Sequence, residues 1–346
     1  MVKMDTDESY MDRVKQVRLL AFDIDGTLLR ADHQLSDVVK QAIYSLRETN
    51  IQVLLATGRR YGQAFEIARE LKLETPLIAA GGAVIKNIDT HQTLFRAKFQ
   101  PNILRQSFMV AHEAGIFPFL YSDRYTEGVD VIASTGITEE MSELYPEYCE
   151  YFARNVNRME VRPEFFTPYT LPQPSVPSST VSSSTVTGSS IGASVGKEVS
   201  SKESSRKNPK NAWADFPEDL FTWFAIGTWN DMYRLRDLLN ERLPNQLETN
   251  VLRGPKYSGV FCEVLPAGVH KWSAIQWVAR RMGISDAEIC AVGDDVNDIR
   301  MLRGAGIGVA MGNARAEVLS AADVIAPANT EDGVCDVIHW FKIHHS

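Results

Sequence analysis

The sequence predicts an α/β fold: a parallel sheet flanked by helices, interrupted by an inserted α+β module. Three observations carry that expectation. Short apolar runs at Leu19–Phe22, Ile51–Ala56 and Ile289–Val292 each stop abruptly at polar or glycine residues. Strands of a parallel sheet, buried on both faces, read this way. Helical periodicity fills the gap between the first two runs, at the spacing of a right-handed β–α–β crossover. Between about Val84 and Pro266 the pattern changes to strands mixed with helices, and the α/β alternation then resumes.

Taken in order, residues 1–16 read as a loose polar lead-in. The first strand runs into Asp23-Ile24-Asp25-Gly26-Thr27, which puts two acids at its carboxyl end. Open α/β sheets place their sites there. Like charges so close are costly unless a cation sits between them, and carboxylate and carbonyl oxygens are hard ligands that suit Mg²⁺. Leu35–Asn50 reads as a helix capped by Ser36, with Val38, Val39, Ala42, Ile43 and Leu46 as its apolar stripe. The second strand, Ile51–Ala56, stops at Thr57-Gly58-Arg59. A helix over Tyr61–Leu71, a third strand at Leu77–Ala80 and a hairpin around Lys86–Thr90 follow.

Inside the module, strands are expected at Thr93–Phe99, Phe117–Tyr121, Phe221–Thr228, Leu247–Arg253 and Gly259–Leu265. Helices are expected at Asn102–Ala114, Asp231–Arg242 and across most of Ile137–Asn157. Leu171–Asn211 is dense in Ser, Pro and Thr and poor in large apolar groups. It cannot bury enough surface to offset its ordering entropy, so disorder is expected. It reads as a surface insertion, with a phosphorylatable regulatory loop as the alternative. After Pro266 come a helix (Lys271–Met282), a strand ending in Gly293-Asp294-Asp295, a short helix (Asp298–Gly304), a strand (Ile307–Ala310), a helix (Ala314–Ala321), a strand (Val324–Ala326) and a last helix (Asp332–Phe341).

Composition narrows the partners. The 346 residues suit two domains, and 44% hydrophobic content supplies a substantial core. A net charge of −8 without a basic stripe argues against nucleic acid. Four cysteines, far apart and without a C-x-x-C pair, read as reduced buried thiols rather than a zinc site or a disulfide framework. No apolar run is long enough for a membrane span, and the acidic N-terminus resembles neither a secretory signal nor a transit peptide. A cytoplasmic protein is expected.

Three further stretches carry chemistry. The Thr57 hydroxyl and the Gly58 amide can both hydrogen-bond a phosphate oxygen; Thr57 could equally cap the Tyr61 helix. Lys271 opens a helix after Pro-Ala-Gly-Val-His, where a cation can neutralise phosphate; alternatively it is a solvated helix-edge lysine. In GDDVNDIRML, residues 293–302, Asp294 and Asp295 fall at a strand end and Asn297 and Asp298 on the turn that follows. Asp294 can complete a metal site facing Asp23, and Asp298 can orient the groups around it.

DxDGT, TGR, Lys271 and GDDxND stand in this order, each at a strand or helix end. Together they resemble the haloacid dehalogenase superfamily, and in particular its Cof-like branch. GVAMGNA (308–314) and AADVIAPANTEDGV (321–334) resemble that branch's C-terminal signature. The resemblance covers nearly all of residues 17–340 except the Ser-rich insertion. It implies a Rossmann-like core built from residues 1–84 and 266–346, carrying an α/β cap at 85–265 that contains the insertion at 171–211. It implies an Mg²⁺-dependent phosphomonoesterase for small phosphorylated metabolites, such as sugar phosphates or flavin-pathway intermediates, working through an aspartyl-phosphate.

By that resemblance Asp23 is the nucleophile, and Asp25 is the acid that protonates the leaving alcohol and then the base that activates water. The Asp23 and Asp294 side chains and the Asp25 carbonyl would ligate the metal. The Ile24 amide, Thr57, Gly58, Lys271 and Asn297 would hold phosphate, with Asp298 behind them. An acid at Asp25, where transport ATPases carry Thr, implies hydrolysis or mutase chemistry. One departure stands out: the third strand ends in Ala80-Gly81-Gly82, where the family usually has Asn-Gly, which bears on substrate range. Two alternatives remain open. A phosphohexomutase would need a cap that holds a second phosphate, for which Arg124, Arg154, Arg158, Arg234 and Arg236 are candidates. A regulatory or scaffold protein would act through the Ser-rich loop, although intact Asp23, Asp25, Lys271 and Asp294 argue against it.

Overall fold

A computed structural model describes residues 8–166, 219–254 and 259–345. The Ser-rich stretch Leu171–Asn211 lies outside the described residues. The strands, in chain order, are β1 (Leu19–Phe22), β2 (Gln52–Leu55), β3 (Leu77–Ala79), β4 (Val84–Lys86), β5 (Thr93–Arg96), β6 (Pro118–Arg124), β7 (Val129–Ala133), β8 (Met159–Val161), β9 (Leu220–Gly227), β10 (Leu247–Arg253), β11 (Val260–Pro266), β12 (Ile289–Gly293), β13 (Ile307–Met311) and β14 (Val324–Ala326). They form three sheets.

The first sheet has the order β14-β13-β12-β1-β2 and every pairing in it is parallel. β1 lies between β2 and β12, with Phe22 opposite both Leu55 and Val292. The residues that follow these three strands, Asp23, Thr57 and Asp294, therefore emerge side by side at one edge. The chain leaves β1 toward β2 on one flank and returns as β12 on the other, so this edge is a topological switch point. All four residues of β1 are fully buried, because helices cover both faces. The Asp37–Ser45 helix starts where expected, with Ser36 Oγ accepting from the Val39 amide.

The second sheet, β3-β4-β5, is antiparallel and joins the first through an Ala56–Ile78 bridge. The third has the order β10-β11-β9-β6-β7-β8 and is antiparallel except for β7–β8. Side-chain alternation splits its residues. Trp223, Ala225, Cys262 and Val264 pack with Phe108, Leu235 and Leu239 of two helices, Pro101–Glu113 and Trp229–Arg242. Phe119, Tyr121, Phe224 and Ile226 face the other way, in one apolar cluster with Tyr61 and Val84.

Some expectations need correction. Within the lead-in, Glu8–Gln16 is a helix rather than a loose tail. It docks on the C-terminal helix Val334–His345, burying Val14 completely, and Arg13 donates to the Gly306 carbonyl. So polar a segment is helical only because tertiary packing supplies what its own sequence lacks. The strand expected to reach Phe99 ends at Arg96. The helical stretch after Ile137 is broken at Tyr145-Pro146 into Glu139–Leu144 and Pro146–Asn155, since Pro cannot donate the hydrogen bond that continuity needs. All four cysteines are free, and no helix among the described residues is long and apolar enough to cross a membrane.

Candidate active site

Lys271 is the hub of the site. It is 2% exposed and donates to Asp23 Oδ1 at 2.6 Å and to Asp298 Oδ1 at 2.7 Å. It is no solvated helix-edge lysine. A capping box sets its position: His270 accepts from the Ser273 amide, and Ser273 Oγ accepts from the His270 amide. The second oxygen of Asp298 accepts from the amides of Asp294 at 3.0 Å and Asp295 at 3.1 Å. One buried carboxylate thus fixes both the lysine and the turn that carries Asp294.

Asp294 completes the group. Its carboxylate accepts from Thr27 Oγ1 and Asn313 Nδ2, both at 3.3 Å. Gly26 lets it approach: at φ +77° a Cβ would be strained and would overlap the Asp294 carboxylate. Carboxylate oxygens of Asp23, Asp294 and Asp298 all lie within 4.8 Å of one another. Burial pushes the Asp294 carboxyl up to about 9, and the nearby Asp23 charge adds to the shift. Burial likewise raises Asp23 to about 7, against the pull of Lys271. Burial alone would lower Lys271, but Asp23 and Asp298 hold it above its ordinary value. One lysine faces three acids here, and two of them resist ionisation. Hard oxygens with excess negative charge fit a divalent cation such as Mg²⁺, and Asp298, already committed to Lys271 and two amides, is the least available as a ligand.

Asp25 points elsewhere. Arg59 grips its carboxylate with two bonds, Nε to Oδ2 at 2.6 Å and the terminal nitrogen to Oδ1 at 2.5 Å. Such a fork fixes orientation as well as charge. Thr57 is not the cap of the next helix; that position is Arg60, and Thr57 Oγ1 accepts instead from the Arg59 amide at 3.1 Å. An open cavity lies above these groups, with Asp23, Asp25, Thr57, Gly58, Lys271 and Asn297 in its wall. Asn297 Oδ1 is buried with no hydrogen-bond partner among the described residues. Ile24 and Asp298 are fully buried beneath the wall, and the half-buried Asp294 stands beside it.

Sequence reasoning assigned no role to Arg59, Asn313 or Glu263. Arg59 was visible as the last residue of TGR, and Asn313 as the one amide in a glycine turn. Glu263 is 2% exposed on β11, accepts from Asn250 Nδ2 at 3.3 Å, and leaves Oε1 without a partner among the described residues. Burial raises it to about 7. It explains the departure at Gly81, which has φ +64° and whose Cβ would stand 2.7 Å from both Glu263 oxygens. The acid occupies the space that a side chain at position 81 would need. The signal was one charged residue inside the apolar strand VFCEVLP.

A parallel sheet with acids at the carboxyl ends of two neighbouring strands, and a buried lysine that joins one of them to Asp298, is the arrangement of an α/β hydrolase. A family model of haloacid dehalogenase-like hydrolases matches residues 20–161 and 174–338, and the chain belongs to that family, in its Cof-like branch. It is 25% identical over 329 residues to a Bacillus subtilis protein, 5-amino-6-(5-phospho-D-ribitylamino)uracil phosphatase YcsE, covering 94% of this chain and 96% of that one. Among solved structures, a haloacid dehalogenase-like hydrolase from Bacteroides thetaiotaomicron superposes with a TM-score of 0.64 at 21% identity, covering 94% and 99% of the two chains. The subclass IIB sugar phosphatase BT4131 gives 0.61 at 18% identity, covering 94% and 100%.

Proposed function

We propose that the protein is an Mg²⁺-dependent phosphomonoesterase for small phosphorylated metabolites, acting through an aspartyl-phosphate on Asp23. The observation that carries this reading is the buried Asp23–Lys271–Asp298 chain at the cavity wall, with the Asp294 carboxylate behind it and too little positive charge to balance them. Asp23 Oδ attacks phosphorus as the bond to the leaving oxygen breaks. Asp25 gives that oxygen a proton, then takes one from the water that cleaves the acyl phosphate and returns Asp23 and inorganic phosphate. Lys271, Thr57, the Ile24 and Gly58 amides and Asn297 hold the phosphoryl oxygens; the Lys271 charge counts most, because it is buried. Mg²⁺, held by the Asp23 and Asp294 side chains and the Asp25 carbonyl, would supply charge neutralisation for the phosphoryl group. Residues 85–265 would act as the cap over a core of 1–84 and 266–346. The pairing of β4 and β5 with β3 supports counting residues up to Arg96 with the core side of that boundary.

The names of the relatives point to two substrate families, sugar phosphates and a ribityl-aminouracil phosphate. The mutase alternative loses support. Arg124 pairs with Glu160 and Asp219, Arg154 with Glu150, Arg158 with Asp130 and Arg236 with Asp237, while Arg234 donates to the Ala114 carbonyl. None of the five lines the cavity. Phosphate release from a panel of phosphorylated metabolites, with Mg²⁺ and with chelator, for wild type beside Asp23→Asn tests the reading. Release that needs both Mg²⁺ and Asp23 is expected; release indifferent to either overturns it.

A further inference from the structure

Strand alternation decides what faces the phosphate end of the cavity. Across β10, β11 and β9, Leu252 stands opposite Phe261 and Phe261 opposite Ile226, and cross-strand partners share a face. That face looks into the cavity, where Phe224 and Tyr121 continue it and Tyr151 joins from the Pro146–Asn155 helix. Phe224 is the centre of the wall. Its ring centroid lies 4.6 Å from that of Tyr121, 5.3 Å from Tyr151 and 6.5 Å from Phe261. Register also puts Glu263 and Asn250 on this face, but they pair with each other below the lining, Glu263 against Gly81. Away from the phosphate end, and apart from the tyrosine hydroxyls, the polar side chains of the described lining are Gln63 and the exposed Arg253.

This wall has the wrong chemistry for a polyol. Each sugar hydroxyl laid against it would give up water and find little to replace the lost hydrogen bond. A flat apolar ring gains there by area removed from water and by stacking.

We infer that the substrate's leaving alcohol carries a flat aromatic or heteroaromatic ring, seated against Phe224, Phe261 and Tyr121 while the phosphate meets Asp23 and Lys271. The inference rests on the phosphatase reading and narrows it. Benzyl phosphate, glucose 6-phosphate and glycerol 3-phosphate test it, because all three are esters of primary alcohols and differ chiefly in what the alcohol carries. With Mg²⁺, kcat/KM for benzyl phosphate is expected to exceed both others by roughly tenfold or more, mainly through KM. Phe261→Ala should shrink that ratio severalfold. Phe261→Leu, which keeps apolar volume but loses the flat face, gives the same reading if the alanine variant folds poorly. Glucose 6-phosphate turned over as well as benzyl phosphate would overturn the inference and leave the phosphatase reading standing. No release from any of the three would overturn both.

Discussion

Two buried lysines organise two different regions of this molecule. Lys271 sits at the carboxyl edge of the parallel sheet; Lys86, 5% exposed, sits on β4 where the small sheet meets the six-stranded one. Each lies 2.6 Å from an aspartate, Asp23 in one case and Asp123 in the other. The balance of charge around them differs. Asp123 is met by Lys86, by Arg96 at 2.9 Å and by the Thr93 hydroxyl at 2.7 Å, so its charge is over-compensated. Around Lys271 the acids outnumber the cation. The first cluster has its acid fully compensated and ties β6 to β4 and β5. The second keeps an excess of negative charge, which a divalent cation would balance under the function proposed above. Burial of charge alone does not separate a structural site from a catalytic one; the residual charge does.

That contrast can be broken or sharpened by experiment. The largest effect belongs to Asp23→Asn, which should reduce phosphate release to background while the fold persists, as read by circular dichroism. Lys271→Ala should lower kcat/KM by about 10²–10³-fold, the cost of losing one preorganised charge-stabilising donor. Asp123→Ala should do the opposite kind of damage. It strands Lys86 and Arg96 in a buried seam and should cost about 3 kcal/mol of unfolding free energy in a denaturant titration. If Lys271→Ala harmed only stability, or Asp123→Ala only turnover, the distinction between the regions would fall.

The pH dependences come next. Glu263 stays protonated in the folded chain up to about 7, whereas the unfolded chain ionises it near 4.5. The folded state therefore binds the extra proton, and its stability falls as pH rises from about 4.5 to about 7, then levels. Glu263→Gln should flatten that slope and gain roughly 2–3 kcal/mol at pH 8, measured by unfolding at several pH values. Asp294, raised to about 9, and Asp23, raised to about 7, act in the same direction over a wider window. Protons compete with metal for these carboxylates, so Mg²⁺ should raise Tm by more at pH 8 than at pH 6, by a few degrees. An equal shift at both values would argue that the cation binds elsewhere.

How much of this was legible beforehand follows from distance along the chain. DxDGT, TGR and GDDxND each place their groups within a few residues of a strand end, and a strand end is visible as a change from apolar to polar. Asp23, Thr57, Asp294 and Asp298 could be read in that way. Glu263 could not be given a role, because its meaning depends on Gly81, which belongs to another sheet and lies far away in sequence. The helix at Glu8–Gln16 failed for the same reason: its stability comes from a partner at the other end of the chain. The hold of Arg59 on Asp25 joins two neighbouring strand ends, and side-chain direction there is a matter of packing.

The sequence by itself determined the α/β class, the strand ends that carry the acids, and the chemistry those acids can perform, because alternation of polarity and local spacing are properties of adjacent residues. Only the tertiary structure decided which charges are balanced and which are not, that aromatic side chains share a cavity with Asp23 and Lys271, and that Glu263 fills the space beside Gly81. Those depend on strand order and register, which bring together residues with no proximity along the chain, and on burial, which turns their proximity into energy.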